Sequence, residues 1–425
     1  MPIRIKQILL IAGDIILLYG CLFLTLLLRY GDINRFLGDH LGPFSVVFVL
    51  WLISFYIVGL YDIKELKFGY NIAQNVFLAV LVGMILAIVT FYLVPYFYIS
   101  PKTNLVIFSF LFMVVTFAWR WIFSFISKTP QRKTLIIGTG PEISELTEFL
   151  IKNPQMGYEI SYQIKDPDKY NDLEIKKIIG ENQINKIIFV PHLVNKNIIE
   201  TIYDKISQGL EITDSATAYE ELFKKTPIEE SQKIFLMTQI SKSRKIYQAI
   251  KRPLEFLISL VLAIVLLPLM VIIFVLIKIT SRGPGIYKQV RVGKNQKNFI
   301  IYKFRTMTDE KDQKIIAIGK VLRFTHLDEI PQLLNIIKGD ISFVGPRPEQ
   351  LGFVKEFEKQ IPYYNLRHLI KPGLTGWAQV NYRYGLSVEE TRNKMQYDIY
   401  YIKNRSLTLD LLIILRTIKM VFFNY

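Results

Sequence analysis

Four apolar stretches, about Ile8–Leu28, Phe44–Leu60, Asn75–Val94 and Leu105–Ile126, fill the first third of the chain. Each comes close to the ~20 residues that carry a helix across a bilayer. Hydrocarbon offers no partner to backbone N–H and C=O groups, so such segments are held to helices that satisfy those groups internally. Residues 1–130 are therefore expected to form a four-helix transmembrane bundle. The first run carries Asp14, lacks a small-residue cleavage site and is followed by three more runs, so it reads as a span and not a removable signal peptide. Arg4 and Lys6 precede it, Lys64 and Lys67 separate the second and third runs, and Lys128, Arg132 and Lys133 follow the fourth. The positive-inside rule puts these groups in the cytoplasm, against a smaller group of Arg29, Arg35 and Lys102 on the other side. Asp14 is expected to pair inside the bundle, with Arg120 as its candidate partner. A relay or transport role is the alternative.

The formal charge of +16 points to anionic lipid or phosphorylated substrates, given the membrane segments. No arginine-rich tail or aromatic-plus-basic motif is present, so no nucleic-acid partner is expected. One Cys, Cys21, excludes an internal disulfide framework, and with only four His a structural zinc site is not expected.

Residues 131–240 alternate strand and helix. Thr134–Gly140 is a short apolar strand ending in glycines, Glu142–Ile151 follows as a helix, and Glu159–Ile164 and Lys186–Val190 are further strands. That alternation implies a parallel sheet, hence a Rossmann-like α/β module. Gly138-x-Gly140-x-x-Ile143 resembles a dinucleotide fingerprint but lacks the third glycine. No clear ribose-binding acid ends a second strand. A structural or regulatory module is expected, since a fold does not supply a function by itself.

Residues 241–425 open on Lys251-Arg252-Pro253 and an apolar run from Leu254 to Ile277, followed by Lys278, Arg282 and Lys288. Cations on both flanks disfavour a full crossing, and Pro268 near the middle removes a helix hydrogen bond. A re-entrant helix over about 251–279, broken at Pro268 and returning to its own face, meets both conditions. The alternative is a fifth span with a tolerated proline. Ser406–Tyr425 reads as an amphipathic helix, either on the membrane surface or in the core of this domain.

The chemistry-bearing residues lie in this last part. Asp328 and Glu329 are adjacent carboxylates at the start of a short helix, with Ile330, Leu333, Leu334, Ile336 and Ile337 on its apolar face and Gly339 as its stop. Thr325 and Asp328 have capping-box spacing, which accounts for one acid and not for the cations around it. Two such carboxylates can divide labour, one as nucleophile and one holding a metal or proton. Lys303 and Arg305 alternate on a strand, which puts both on one face to receive a diphosphate. Gly345-Pro346-Arg347-Pro348 is a rigid turn presenting Arg347. Arg367 to Asn381 is a turn-rich loop with cations, hydroxyls and amides.

Taken in order, Lys251-Arg252 ahead of a proline-broken apolar helix, Lys303-Phe-Arg305-Thr-Met307, Leu327-Asp328-Glu329-Ile-Pro331-Gln-Leu333, Gly345-Pro-Arg347-Pro348 and Lys371-Pro-Gly373-Leu-Thr375-Gly376-Trp377-Ala-Gln379 resemble the bacterial sugar transferase family. These are the monotopic polyprenyl-phosphate phosphoglycosyl transferases. With four spans and a Rossmann-like module ahead, the chain looks like the long form that starts exopolysaccharide, capsule or O-antigen units. The resemblance implies transfer of a sugar 1-phosphate from a UDP-sugar to a polyprenyl phosphate lipid, undecaprenyl phosphate, with release of UMP. It implies Asp328 as nucleophile, Glu329 as its partner and Mg²⁺ ligand, and Arg323 and Arg347 as residues that contact phosphate or order the site, with Lys303, Arg305 and Arg367 as further phosphate contacts. It also implies a mostly helical catalytic domain on the cytoplasmic face of the bacterial inner membrane. A homodimer is expected because two-fold oligomers are the commonest. Two departures stand out: Leu267 precedes Pro268 where the family often has Ser, and His326 precedes Leu327 where it often has Ser. A non-catalytic scaffold for nucleotide-sugars and transport through the bundle are the rival classes.

Overall fold

The computed structural model describes residues 3–31, 33–61, 70–93, 102–126, 131–194, 209–228, 245–308, 314–382 and 387–423, with 198, 200, 205 and 385 singly. Lys64, Lys67 and Lys128 lie outside them. The chain forms two compact units, Met1–Thr213 and Asp214–Tyr425.

The first unit begins with α1 (Ile3–Tyr30), α2 (Ile33–Val58), α3 (Tyr70–Leu93) and α4 (Lys102–Ile126). All four are long and apolar enough to cross a membrane, and they mark the chain as a membrane protein. Their shared core is aromatic: Trp51 packs against Phe108 at 5.0 Å and Phe55 stacks on Phe112 at 5.4 Å between ring centres. Asp14 of α1 and Arg120 of α4 meet at 2.7 Å, both fully buried. This is the pair expected from the sequence, since an unpaired charge is not tolerated at that depth.

The same unit continues with β1 (Arg132–Ile137), α5 (Pro141–Lys152), β2 (Tyr158–Ile164), α6 (Asp172–Glu181), β3 (Lys186–Phe189) and β4 (Glu211–Asp214). The sheet order is β2-β1-β3-β4, with β1 parallel to both neighbours. Leu135 and Ile137 are fully buried, as the expected parallel sheet requires.

In the second unit, α7 (Ser215–Phe223) falls within the 131–240 segment but is tied to the C-terminal part: Lys403 pairs with Glu220 at 2.5 Å. The Trp377 indole N–H donates to the Lys224 carbonyl, just past α7. Helix α8 (Lys245–Thr280) runs through Pro253 and Pro268 without ending. It is the fifth helix of membrane-crossing length among the described residues. Next come the antiparallel hairpin β5 (Ile286–Val292) and β6 (Asn298–Phe304), α9 (Gly319–Phe324), a 3₁₀ segment Leu327–Gln332, α10 (Leu333–Lys338) and β7 (Ser342–Val344). The chain finishes with α11 (Leu351–Gln360), β8 (Gly373–Thr375), α12 (Trp377–Asn381), α13 (Val388–Asn404) and α14 (Leu407–Phe423). One face of α14 is core, with Ile413 fully buried beside Val344, Trp377 and Tyr401, while Leu411 is exposed. Of the two sequence alternatives, this packing matches the core helix.

Candidate active site

Two elements carry the dyad and its nearest cation. Lys303 is the next-to-last residue of β6, and Asp328 and Glu329 sit in the first turn of the 3₁₀ segment. Asn335 of α10, fully buried, joins them. Its side-chain oxygen accepts from the Tyr302 N–H at 3.1 Å, and its amide donates to the Ile300 carbonyl at 2.7 Å. The hairpin has only two strands, so this side of β6 would otherwise be an open edge. Asn335 thereby fixes the height of Lys303 against the carboxylates. Gly339 closes α10 in the left-handed conformation, as the sequence indicated.

Lys303 Nζ donates to Glu329 Oε1 at 2.5 Å, and Arg347 Nη2 lies 3.8 Å from the same oxygen. Burial by itself would raise the Glu329 carboxyl, but Lys303 and Arg347 outweigh it and hold the group below the ordinary range. For Asp328, burial and the Glu329 charge win over Lys303 and His326, and the carboxyl sits above that range. Two adjacent acids are thus pushed in opposite directions, an arrangement that can divide labour between paired carboxylates. Glu329 is held toward its ionised form, and Asp328 is the more basic of the two.

Arg347 stands on a turn held at three carbonyls by three buried or half-buried cations. Lys251 donates to Val344 O at 3.0 Å, Arg367 to Arg347 O at 3.1 Å and Arg291 to Pro348 O at 3.1 Å. The turn also lies backbone to backbone on β8. A Cβ on Gly345 would come 2.5 Å from the Lys371 carbonyl oxygen, and one on Gly373 would come 2.1 Å from the Gly345 nitrogen. Only glycine permits that approach.

Not every sequence candidate reaches the dyad. Arg305 lies one residue past the end of β6, with its backbone N–H still donating to the Gly285 carbonyl at 3.0 Å across the hairpin. Its guanidinium is buried and donates to the Arg282 and Ser281 carbonyls at 2.6 and 3.1 Å, closing the end of α8. Arg367 pairs with the buried Asp398 at 3.0 Å and donates to the Tyr364 hydroxyl at 2.6 Å, so it supports Arg347 from behind. Burial raises Asp398 to about 6 despite that partner. Arg323 is exposed, and its Nε donates to the Thr306 hydroxyl at 2.9 Å. The expected Thr325 capping box does not form. His326, in the left-handed region, is the residue ahead of the segment, and Thr325 bonds back to the Val321 carbonyl at 2.7 Å. The sequence reading did not single out Asn335, Arg291 or Asp398. Their partners are distant in sequence, and no local signal points to them.

No three His, Cys, Asp or Glu side chains converge as a metal cluster among the described residues. Two adjacent carboxylates beside cations fit Mg²⁺ of the kind that takes one or two protein ligands and completes its shell from substrate phosphate and water.

The model of the bacterial sugar transferase family matches residues 246–424. The chain is 33% identical over 322 residues to the UDP-glucose:undecaprenyl-phosphate glucose-1-phosphate transferase of Klebsiella pneumoniae, covering 69% of this chain and 68% of that one. It is 43% identical over 187 residues to the UDP-N-acetylgalactosamine-undecaprenyl-phosphate N-acetylgalactosaminephosphotransferase of Aeromonas hydrophila, covering 41% of this chain and 44% of that protein. An exopolysaccharide production protein of Rhizobium leguminosarum bv. phaseoli is 37% identical over 186 residues, 40% of this chain and 93% of its own length.

Proposed function

The chain belongs to the bacterial sugar transferase family, and on that premise we propose that it moves a sugar 1-phosphate from a UDP-sugar to undecaprenyl phosphate, releasing UMP. The observation that carries the reading is the split dyad: Glu329 held ionised by Lys303 and Arg347, Asp328 left more basic beside it.

In this reading a carboxylate oxygen of Asp328 attacks the phosphorus that bears the sugar. The bond from that phosphorus to the bridging oxygen breaks, and UMP leaves with the electron pair. The product is an aspartyl-phosphosugar. A phosphate oxygen of the polyprenyl lipid then attacks the same phosphorus and frees Asp328. Lys303 and Arg347 oppose the charge that gathers on the phosphoryl oxygens, the effect that dominates phosphoryl transfer. Glu329 would hold Mg²⁺, which when bound offsets the repulsion between the carboxylates and the diphosphate.

The lipid acceptor explains α8. A straight helix of 36 residues spans ~54 Å, more than the ~30 Å hydrocarbon core. Yet both ends of α8 hold to one unit. Arg252 donates to the Ile336 and Ile337 carbonyls at 2.6 and 2.9 Å, and Ile273 and Ile277 pack on Phe304 and Leu322. In this reading the helix enters and leaves on the cytoplasmic face, with its exposed apolar side in lipid and the dyad at headgroup depth. The product is the first lipid-linked sugar of exopolysaccharide, capsule or O-antigen synthesis.

Incubation of purified protein with UDP-sugar labelled in the sugar, without lipid, followed by an acid quench, tests the covalent step. Label is expected on Asp328. Turnover without any protein-bound label would favour direct attack by the lipid phosphate.

A further inference from the structure

We infer that the α/β module carries a second ligand site, for a nucleotide with a free ribose diol, in the cleft at the carboxyl edge of its sheet. The cleft has a volume of about 530 Å³, within the ~300–1,000 Å³ of small-molecule sites. Its walls come from the segments that follow β1, β2 and β3. Strand β1 is central, and the chain leaves it for β2 on one side and β3 on the other. That reversal is the place where open α/β sheets take their ligands.

The lining is chemically mixed in a way a ribonucleotide satisfies. Asp166 is the second residue past the end of β2, on the strand beside β1, and Asp168 follows it into the cleft. This is where an acid that accepts from ribose hydroxyls stands in such folds. The sequence already ended this strand at Ile164, and Asp166 was passed over because it lies two residues beyond that end. Lys165 and His192 bring positive or proton-donating groups for a phosphate, and Pro167 and Leu193 supply an apolar wall for a flat base. Asp166 is 3.0 Å from the exposed Lys169, a surface pair that a ligand hydroxyl can replace at little cost.

The loop after β1 is shaped for close approach. Gly138 has φ +116°, and a Cβ there would come 2.7 Å from Val190, so the backbone lies flat on the end of β3 and leaves the cleft open. Ile143, where the fingerprint has its third glycine, is buried in the module core, so the glycine fingerprint is not restored. The inference rests on the cleft and its strand-end acids. Among the described residues, Asp166, Asp168 and His192 do not form a metal cluster.

The test uses the full chain in lipid nanodiscs with ADP and UDP as probes, followed by calorimetry. Saturable binding of at least one is expected. The Asp166→Asn/Asp168→Asn double variant, changed only at exposed positions, is expected to weaken it by about tenfold or more. The 2′,3′-dideoxy analogue should show the same loss on the unaltered chain, and Asp328→Asn should leave ADP binding, which the catalytic reading does not require, unchanged. Photolabelling with 8-azido-ADP should mark peptides that contain Thr139, Lys165 or His192. Absence of binding up to millimolar probe overturns the inference. So does full affinity of the dideoxy analogue or of the double variant, and so does binding abolished by Asp328→Asn, which would assign the nucleotide to the catalytic unit.

Discussion

Lys303 and Glu329 meet at 2.5 Å although one closes a strand and the other opens a 3₁₀ segment. Their separation is set by Asn335, which bonds the β6 backbone on either side of Ile301. The cation that keeps Glu329 ionised is thus placed by a neutral residue that touches neither.

Asp328→Asn keeps the shape and removes the proposed nucleophile. Turnover is expected to fall by roughly 10³-fold or more, the scale of losing a group that forms a covalent intermediate, with the thermal unfolding midpoint nearly unchanged. Near-normal turnover would remove the proposed chemistry and favour a scaffold.

The pH dependence follows from the two shifts. In the proposed mechanism Asp328 attacks as the carboxylate, and its carboxyl sits above the usual 3.8. Activity is therefore lost as pH falls through a window above that value. Glu329→Gln removes the negative neighbour and should move the acid limb of kcat/KM downward. Lys303→Met removes a cation and should move it upward, with a rate loss of roughly 10²-fold. Profiles of kcat/KM report the free enzyme, and limbs that stay in place in both variants would contradict the assignment.

Asn335→Leu keeps volume but leaves the Tyr302 N–H and the Ile300 carbonyl without their partner. A loss of about 2–3 kcal/mol is expected, read from denaturant unfolding in detergent, together with a lower kcat as Lys303 shifts. Stability lost with kcat intact would show that Asn335 only supports the hairpin.

Asp398→Asn strands the buried Arg367 guanidinium. Breaking one side of a buried pair costs about 3–5 kcal/mol, so a large drop in melting temperature is expected. Because Arg367 also holds the Arg347 carbonyl, the residual folded enzyme should show a raised KM for the nucleotide-sugar.

Topology can be read by labelling. In a Cys21→Ser background, Gln248→Cys and Lys288→Cys lie on the two flanks of α8, both at exposed positions. A membrane-impermeant maleimide is expected to modify both from the cytoplasmic side alone. Modification from opposite sides would make α8 an ordinary span.

Much of this was legible in the chain itself. Spans, parallel strands and the adjacent acids are written in local runs, where period and composition decide the outcome. Asp14 and Arg120 could be paired in advance because a bilayer leaves a buried charge few options. What stayed hidden depended on where elements stop and on distant partners. Arg305 looked like a companion of Lys303 until its guanidinium was found on the carbonyls at the end of α8, and Arg367 looked like a phosphate ligand until Asp398 was found against it. Thr325 had the spacing of a cap but bonds backward along α9.

The contact of Gly345 with Gly373 restricts anyone who would re-engineer this enzyme. The arginine-bearing bend and the loop after Arg367 interlock without intervening side chains, so they act as one replaceable cassette. Grafting either stretch alone from a protein without glycine at the matching position would import a collision, whereas exchanging both together can carry its own seam.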